Sequence, residues 1–387
     1  MKTEPQITSP RLRVAIIGCG KIADQHVAAI ARIPRSEIVA LCDHEILMAQ
    51  QLGERFHISA CFVDAAEMLL EINPDVVHIT TPPVSHFSVA KQCLEGGCHV
   101  YVEKPFTITH DEAKTLIEIA RTTGKRITAG HNYQFTPEML DMRRLSKVGF
   151  LGKHLVHIES QWAYDLNDRV YVGAILGDKN HWVRKLPGQL FHNLISHGIA
   201  KLVEFLDDEV AEITAQAYQS DTLKTMGGGD VKDELRVMIR DSKGTSAYFT
   251  FSTQVQPAIN QLRIFGCRNS LIVDQTSGTF VTVPGSAKSY LTFFVPPFRQ
   301  AVAHFRNGFR NVLRFLRQQL YHDSGMTELI SQFHSAIITG PRAPDPIPMR
   351  EILLTARIMD EIFAQIYPPP QPASVVTSKQ QSECVTR

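Results

Sequence analysis

Apolar and polar positions along this chain follow two rhythms, and the change comes near residue 150. From residue 13 to about 130, short apolar runs at 14–17, 38–42, 76–80, 100–102 and 126–129 alternate with longer stretches at 22–32, 46–56, 64–71, 85–95 and 110–122. The short runs predict buried strands. The longer stretches, with apolar residues every three or four positions, predict amphipathic helices. Their alternation predicts a doubly wound parallel sheet with helices on both faces. Gly96-Gly97 and Gly124 follow two predicted helix ends, where a left-handed cap favours glycine.

After Gly152 the rhythm becomes that of alternating strands. Residues 153–162, 212–217, 234–240, 245–253, 261–265, 270–273 and 278–283 predict strands, with turns at 227–229, 241–244 and 266–269. A loop-rich stretch, 163–188, leads into a helix from about 189 to 206. Two final helices, near 326–339 and 349–366, are expected to return to the first domain. The expected organisation is an extension at 1–10, a parallel-sheet domain at 11–130, and a second α+β domain at 131–367 with a large, mostly antiparallel open sheet. A tail at 368–387, rich in Pro, Ser, Thr and Gln, is expected to be disordered.

Composition narrows the classes. The 387 residues suffice for two cores, and 44% hydrophobic with 20% charged residues is ordinary for a globular chain. A net charge of +1 argues against a nucleic-acid binder. Seven cysteines without a Cys-x-x-Cys pair predict a reduced, cytoplasmic protein with no structural disulfide and no metal site. Residues 1–13 lack the apolar core of a signal peptide, and no apolar run is long enough to span a bilayer.

Chemistry enters at the first strand-to-helix turn. The run from Val14 to Ala23 reads strand, Gly18-x-Gly20-x-x-Ala23, helix, and the acidic Asp43 ends the next strand. Gly18 allows a tight turn, Gly20 lets backbone approach a pyrophosphate, and Ala23 lets helix pack on sheet. The turn Gly18, Cys19, Gly20, Lys21 and Ile22 then offers helix N-terminal N–H groups to phosphate. Asp43 suits ribose hydroxyls and repels a 2′-phosphate, so NAD is expected over NADP.

Other segments follow parallel strands and so face the same crevice. Thr81 and Pro82, with His86 shortly after, are candidate cofactor contacts. Glu103 and Lys104 precede Pro105, which holds Lys104 extended; its ammonium suits a developing negative charge on oxygen. Residues 130–137 add aromatic and amide side chains. Asn193 and His197, four apart on the predicted helix, share a face, and His197 is a candidate general base. Trp162, Tyr164, His181 and Trp182 suit contacts to a sugar as well as they suit a core.

Together these segments resemble the Gfo/Idh/MocA family of glucose–fructose oxidoreductase and inositol dehydrogenase-like enzymes, over residues 11–366. The resemblance implies a Rossmann domain, a C-terminal domain with an open sheet, a bound NAD(P), and hydride transfer at a sugar, polyol or nucleotide-sugar carbon. It also implies catalytic roles for Lys104 and His197. Asn193 stands where the family has aspartate, and Ile195 where it has glycine. The neutral Asn193 leaves three accounts open: His197 as sole base, an unusual substrate that needs a neutral partner, or weak or lost activity on an NAD-binding scaffold. A redox-neutral enzyme on the same fold is the alternative to a dehydrogenase. A homo-oligomer is expected, through an exposed sheet face.

Residues 298–321 stand apart. Val302, Phe305, Phe309, Val312, Leu313, Leu316 and Leu320 fall at helical spacing, five arginines fill much of the rest, and no acid interrupts them. Such a helix suits an anionic membrane surface or an acidic partner, and equally a subunit interface.

Overall fold

The computed structural model of the chain describes residues 11–165, 178, 180–207, 210–285, 289–317, 319 and 324–368. The extension expected at 1–10, the tail from 369 and much of the loop-rich stretch 163–188 lie outside the described residues.

Six parallel strands form the first sheet: β1 (Leu12–Ile17), β2 (Ser36–Cys42), β3 (Cys61–Phe62), β4 (Val76–Ile79), β5 (His99–Val102) and β6 (Ile127–Ala129). Their order is β3-β2-β1-β4-β5-β6. The direction of winding reverses between β1 and β4, so a crevice opens beyond the carboxyl ends of these two strands. Helices cover both faces, which is why β4 is wholly buried, its one polar residue, His78, included. The two-residue β3 was not anticipated, since so short a strand carries no periodicity.

The second sheet has seven strands: β7 (Leu155–Ala163), β8 (Val210–Tyr218), β9 (Glu234–Asp241), β10 (Ser246–Ser252), β11 (Asn260–Gly266), β12 (Asn269–Asp274) and β13 (Thr279–Pro284). Their order is β13-β12-β11-β7-β10-β9-β8. Only the central pair β7 and β10 runs parallel; the other pairs are antiparallel. Leu235, Val237 and Ile239 of β9 alternate inward, while Arg236, Met238 and Arg240 face out.

The helix expected at 189–206 is two helices, Gln189–Leu194 and Ser196–Val203, joined at Ile195. Both are buried on nearly all sides, so apolar periodicity runs unbroken through the joint. Asn193 and His197 therefore do not share one helical face. Gly198 lies against β10: a Cβ there would meet Cε2 of Phe249 at 2.3 Å. The helix carrying His197 is thus pressed onto the sheet as closely as backbone allows. A helix at Pro137–Lys147 escaped the sequence reading because its exposed face outweighs three buried residues, Glu138, Met139 and Met142.

The final helices divide between two cores. Ser324–Thr339 delivers Met326, Leu329, Ile330 and Phe333 to the core of the first sheet. Met349–Ile366 contributes Ile352 there, but Leu354, Ile358, Met359, Ile362, Phe363 and Ile366 join the second core.

A buried polar seam fixes the first of these helices. His26 Nε2 lies 2.9 Å from Glu103 Oε1, His26 Nδ1 2.9 Å from His78 Nδ1, His78 Nε2 3.0 Å from His334 Nε2, and His334 Nδ1 2.8 Å from Ser36 Oγ. Burial would raise the Glu103 carboxyl, but the hydrogen bond from His26 and the charges of His26 and Lys104 outweigh it and hold it below the ordinary range. An ionised Glu103 only accepts, so His26 Nε2 donates to it. His78 and His334 are neutral, and each gives one ring N–H to the row. Tyr101 stacks on His78 at 4.7 Å and seals the seam.

Burial, with the neighbouring imidazoles, drives His78 well below its ordinary pKa and His334 down to about 3. The unfolded chain takes up these protons near pH 6.5, whereas the fold keeps the rings neutral. Their contribution is complete above that pH and is lost as pH falls toward the folded values, at about 1.4 kcal/mol per unit per ring. The urea midpoint is expected to fall between about pH 7 and about pH 5, more steeply than in His334→Gln. Equal slopes would show that the seam does not govern acid stability.

Candidate active site

The crevice at the switch point is a cavity of about 740 Å³, lined among others by Gly18, Gly20, Lys21, Ile22, Asp43, Thr81, Pro82, Glu103, Lys104 and Asn193. Residues from seven separate stretches of sequence thus meet in one place.

The turn after β1 is shaped by crowding. Gly18 has φ +93°, and a Cβ on it would sit 2.7 Å from the Thr81 nitrogen. Thr80 donates its hydroxyl to the Gly18 carbonyl, which locks the two loops together. Gly20 by contrast faces open space, with nothing within 4 Å of a Cβ. No side chain caps the helix Lys21–Ile30 that begins after it. An uncapped helix N-terminus beside a bare glycine, opening on a cavity, fits a pyrophosphate. Asp43 Oδ2 accepts from the Cys19 N–H at 2.7 Å, and its Oδ1 from the Glu45 N–H at 3.0 Å. The carboxylate therefore braces the glycine turn as well as lining the cavity where a ribose would lie. Gly18, Gly20, Lys21, Ile22, Asp43, Thr81 and Pro82 are the residues that would hold the cofactor.

Two further residues expected at the cofactor, His86 and Cys19, do not line this cavity. His86 is fully buried, with Nδ1 2.8 Å from the Pro105 carbonyl and Nε2 2.9 Å from the Thr81 carbonyl. Its ring ties two crevice loops to each other instead of facing the cavity. The Cys19 side chain turns inward toward the Cys42 carbonyl, and burial, aided by the Asp43 charge, pushes its thiol up to about 12. Cys19 serves the turn through its backbone N–H.

At the inner end of the cavity, Lys104 Nζ donates to the Asn193 carbonyl at 3.2 Å. The Lys104 N–H donates to Glu103 Oε2 at 3.1 Å, so the buried seam reaches the site at this residue. A Cβ at Gly130 would meet Glu103 Oε1 at 2.7 Å, which keeps β6 close behind the carboxylate. His197 is 7% exposed and sits beside this cavity, outside its lining. Burial, then the charge of Lys104, then His131 and Lys201, hold its pKa well below the ordinary value. His192 turns away and stacks on Phe363 at 4.8 Å.

The sequence reading missed what surrounds His197. Trp162 stacks parallel to it at 5.7 Å, Tyr133 meets it edge-on at 4.7 Å, and His131 lies at 6.0 Å. Lys201, one turn further along the helix, is fully buried, donates to Asn260 and Gln275, and lies 5.1 Å above the Trp162 ring. Burial lowers its pKa to about 7. A lysine in an apolar helix was the available signal. Of the four buried imidazole nitrogens without a hydrogen-bond partner among the described residues, two, His131 Nε2 and His197 Nδ1, lie here; the other two belong to His192. Unsatisfied buried nitrogens beside a cationic Lys104 suit a hydroxyl-bearing guest. Among the described residues, no cluster of His, Cys, Asp or Glu is arranged to hold a metal ion.

Comparison with known proteins agrees with this geometry. Residues 12–131 match the sequence model of an oxidoreductase family with an NAD-binding Rossmann fold, and residues 139–272 match that of the GFO/IDH/MocA C-terminal domain. The chain is 35% identical to D-glucoside 3-dehydrogenase of Escherichia coli (strain K12) over 148 residues, 38% of this chain and 42% of that protein. It is 27% identical to scyllo-inositol 2-dehydrogenase (NAD(+)) of Bacillus subtilis (strain 168), over 38% of this chain and 43% of that protein. The matched part thus spans less than half the length of either relative. The crystal structure of the WlbA dehydrogenase from Bordetella pertussis, in complex with NADH and UDP-GlcNAcA, shares the fold with a TM-score of 0.72 at 17% identity, over 93% of this chain and 96% of that one. Matched in both halves by consecutive models of one family, the chain belongs to the GFO/IDH/MocA oxidoreductases, with an NAD-binding Rossmann domain at its N-terminal end.

Proposed function

We propose that the chain is an NAD-dependent dehydrogenase that transfers hydride between the nicotinamide and a hydroxyl-bearing carbon of a sugar, polyol or nucleotide sugar. The observation that carries this reading is the pair of unsatisfied buried imidazoles, His131 and His197, beside the Lys104 that lines the dinucleotide cavity. The relatives named as glucoside and inositol dehydrogenases support the substrate class.

NAD supplies the hydride acceptor. The remaining work falls to side chains. Lys104 places a positive charge where oxygen gains negative character, which lowers the pKa of the substrate hydroxyl. His197, kept neutral by burial and by the Lys104 charge, is free to take that proton. Asn193 is neutral and takes no proton, so its part is to orient a neighbouring hydroxyl. The aromatic faces of Trp162 and Tyr133 hold the ring of His197 and offer apolar surface to a sugar ring. Self-association through the outer face of the second sheet, where Tyr218, Met238 and Tyr248 stand exposed, accompanies this reading.

The test is NADH absorbance with a panel of polyols, sugars and nucleotide sugars. A substrate-dependent rise identifies the class; no rise, with NAD bound, would leave the redox-neutral or silent readings. Once a substrate is in hand, Lys104→Met and His197→Ala should each lower kcat by about 10²- to 10³-fold while NAD affinity stays within a few-fold. Normal turnover in both variants would overturn the assignment.

Cofactor choice has its own test. Asp43→Ser should weaken NADH binding about tenfold and narrow its preference over NADPH, read by fluorescence titration. An unchanged ratio of the two affinities would remove Asp43 as the discriminating residue.

A further inference from the structure

The helix Val295–Leu316 is attached to the protein the wrong way round for a core helix. Its polar side faces inward. Asn307 Nδ2 donates to the Phe280 carbonyl at 2.9 Å, Asn311 Nδ2 donates to the Ser277 carbonyl at 3.0 Å, and Arg310 pairs with Asp141 at 2.8 Å. Asn307 is the only residue of the helix that is fully buried. The apolar side faces solvent. Phe298, Val302, Phe305, Phe309, Val312 and Leu316 follow one another at intervals of three and four, so they form a single stripe along the outer face. Phe298 is 73%, Phe305 77% and Leu316 70% exposed. Tyr290, Leu291, Phe293 and Phe294, just before the helix, are exposed too and lengthen the stripe. With 22 residues the helix runs to about 33 Å.

Charge selects the occupant. Arg299, Arg306 and Arg317 each follow a stripe residue by one position, which places them along one shoulder of the apolar face, and all three are exposed. Between Asp274 and Asp323 the chain has no acidic residue. A second copy docking stripe to stripe would bring arginine shoulders together with no carboxylate from the same segment to offset them. A bilayer with anionic headgroups meets both demands: its acyl boundary takes the phenylalanines and its phosphates take the arginines. Among the described residues no helix is long and apolar enough to cross a membrane, so the contact is one of lying on the surface.

We propose that this outward-facing helix binds the protein peripherally to an anionic lipid bilayer. The contact is separate from the dinucleotide cavity and does not depend on the dehydrogenase reading.

The experiment is flotation of the full chain with phosphatidylcholine vesicles, with and without phosphatidylglycerol. The protein should float with the anionic vesicles, stay behind with pure phosphatidylcholine, and be released by raised salt. Arg299→Glu and Arg306→Glu should each reduce partitioning about fivefold or more. The double variant Phe305→Ser/Phe309→Ser should abolish it while leaving NADH binding unchanged, since both side chains point into solvent. No flotation with anionic vesicles would overturn the proposal, as would flotation that the serine variant retains. Sedimentation supplies a further check: if the serine variant turns an oligomer of the parent chain into monomers, the stripe belongs to a second copy and the membrane assignment falls.

Discussion

The ionised carboxylate of Glu103 is the charge around which the cofactor half is arranged. Its hydrogen bond from His26 begins a row of buried imidazole contacts that runs through His78 and His334 to Ser36. Its second oxygen takes the Lys104 N–H and so fixes the backbone that presents the lysine. The helix Ser324–Thr339 is held at the first sheet by His334 and by the apolar residues around it. Site and scaffold therefore share one buried electrostatic constraint. Breaking it would leave a buried charge without its partner, a far costlier defect than the loss of a surface ion pair.

The site itself is built from closeness of backbone. Gly18 lies against Thr81, Gly130 against Glu103, and Gly198 against Phe249. At each of these places a side chain would have held two elements apart. The first contact shapes the glycine turn, the second sets the strand behind the carboxylate, and the third seats His197. Catalytic geometry of this kind depends on absent atoms as much as on present ones.

Much of the first sheet was legible because parallel strands buried on both faces leave apolar runs, and because Gly18, Gly20 and Asp43 need that strand–turn–helix context. Lys104 and Asn193, candidates from their position after a strand and in the late helix, line the crevice. His86 and Cys19 do not, since a sequence shows that a residue lies near a loop but not which way its side chain turns. The break at Ile195 was hidden for another reason. Two short helices buried all round carry the same apolar periodicity as one long one. The histidine seam was invisible because its members, at 26, 36, 78, 103 and 334, come from five separate stretches of sequence and meet only through the fold.

The seam also bears on how the chain is made. His334 lies 256 residues beyond His78, its partner across the first core. While the chain is being synthesised, the first sheet emerges with that flank uncovered and with His78 lacking the ring that satisfies its Nε2. The whole second sheet must then emerge before the covering helix does. The cofactor half, which leaves the ribosome before the second sheet, is thus completed only after it. Until then the flank that Met326, Leu329, Ile330 and Phe333 will cover stays open.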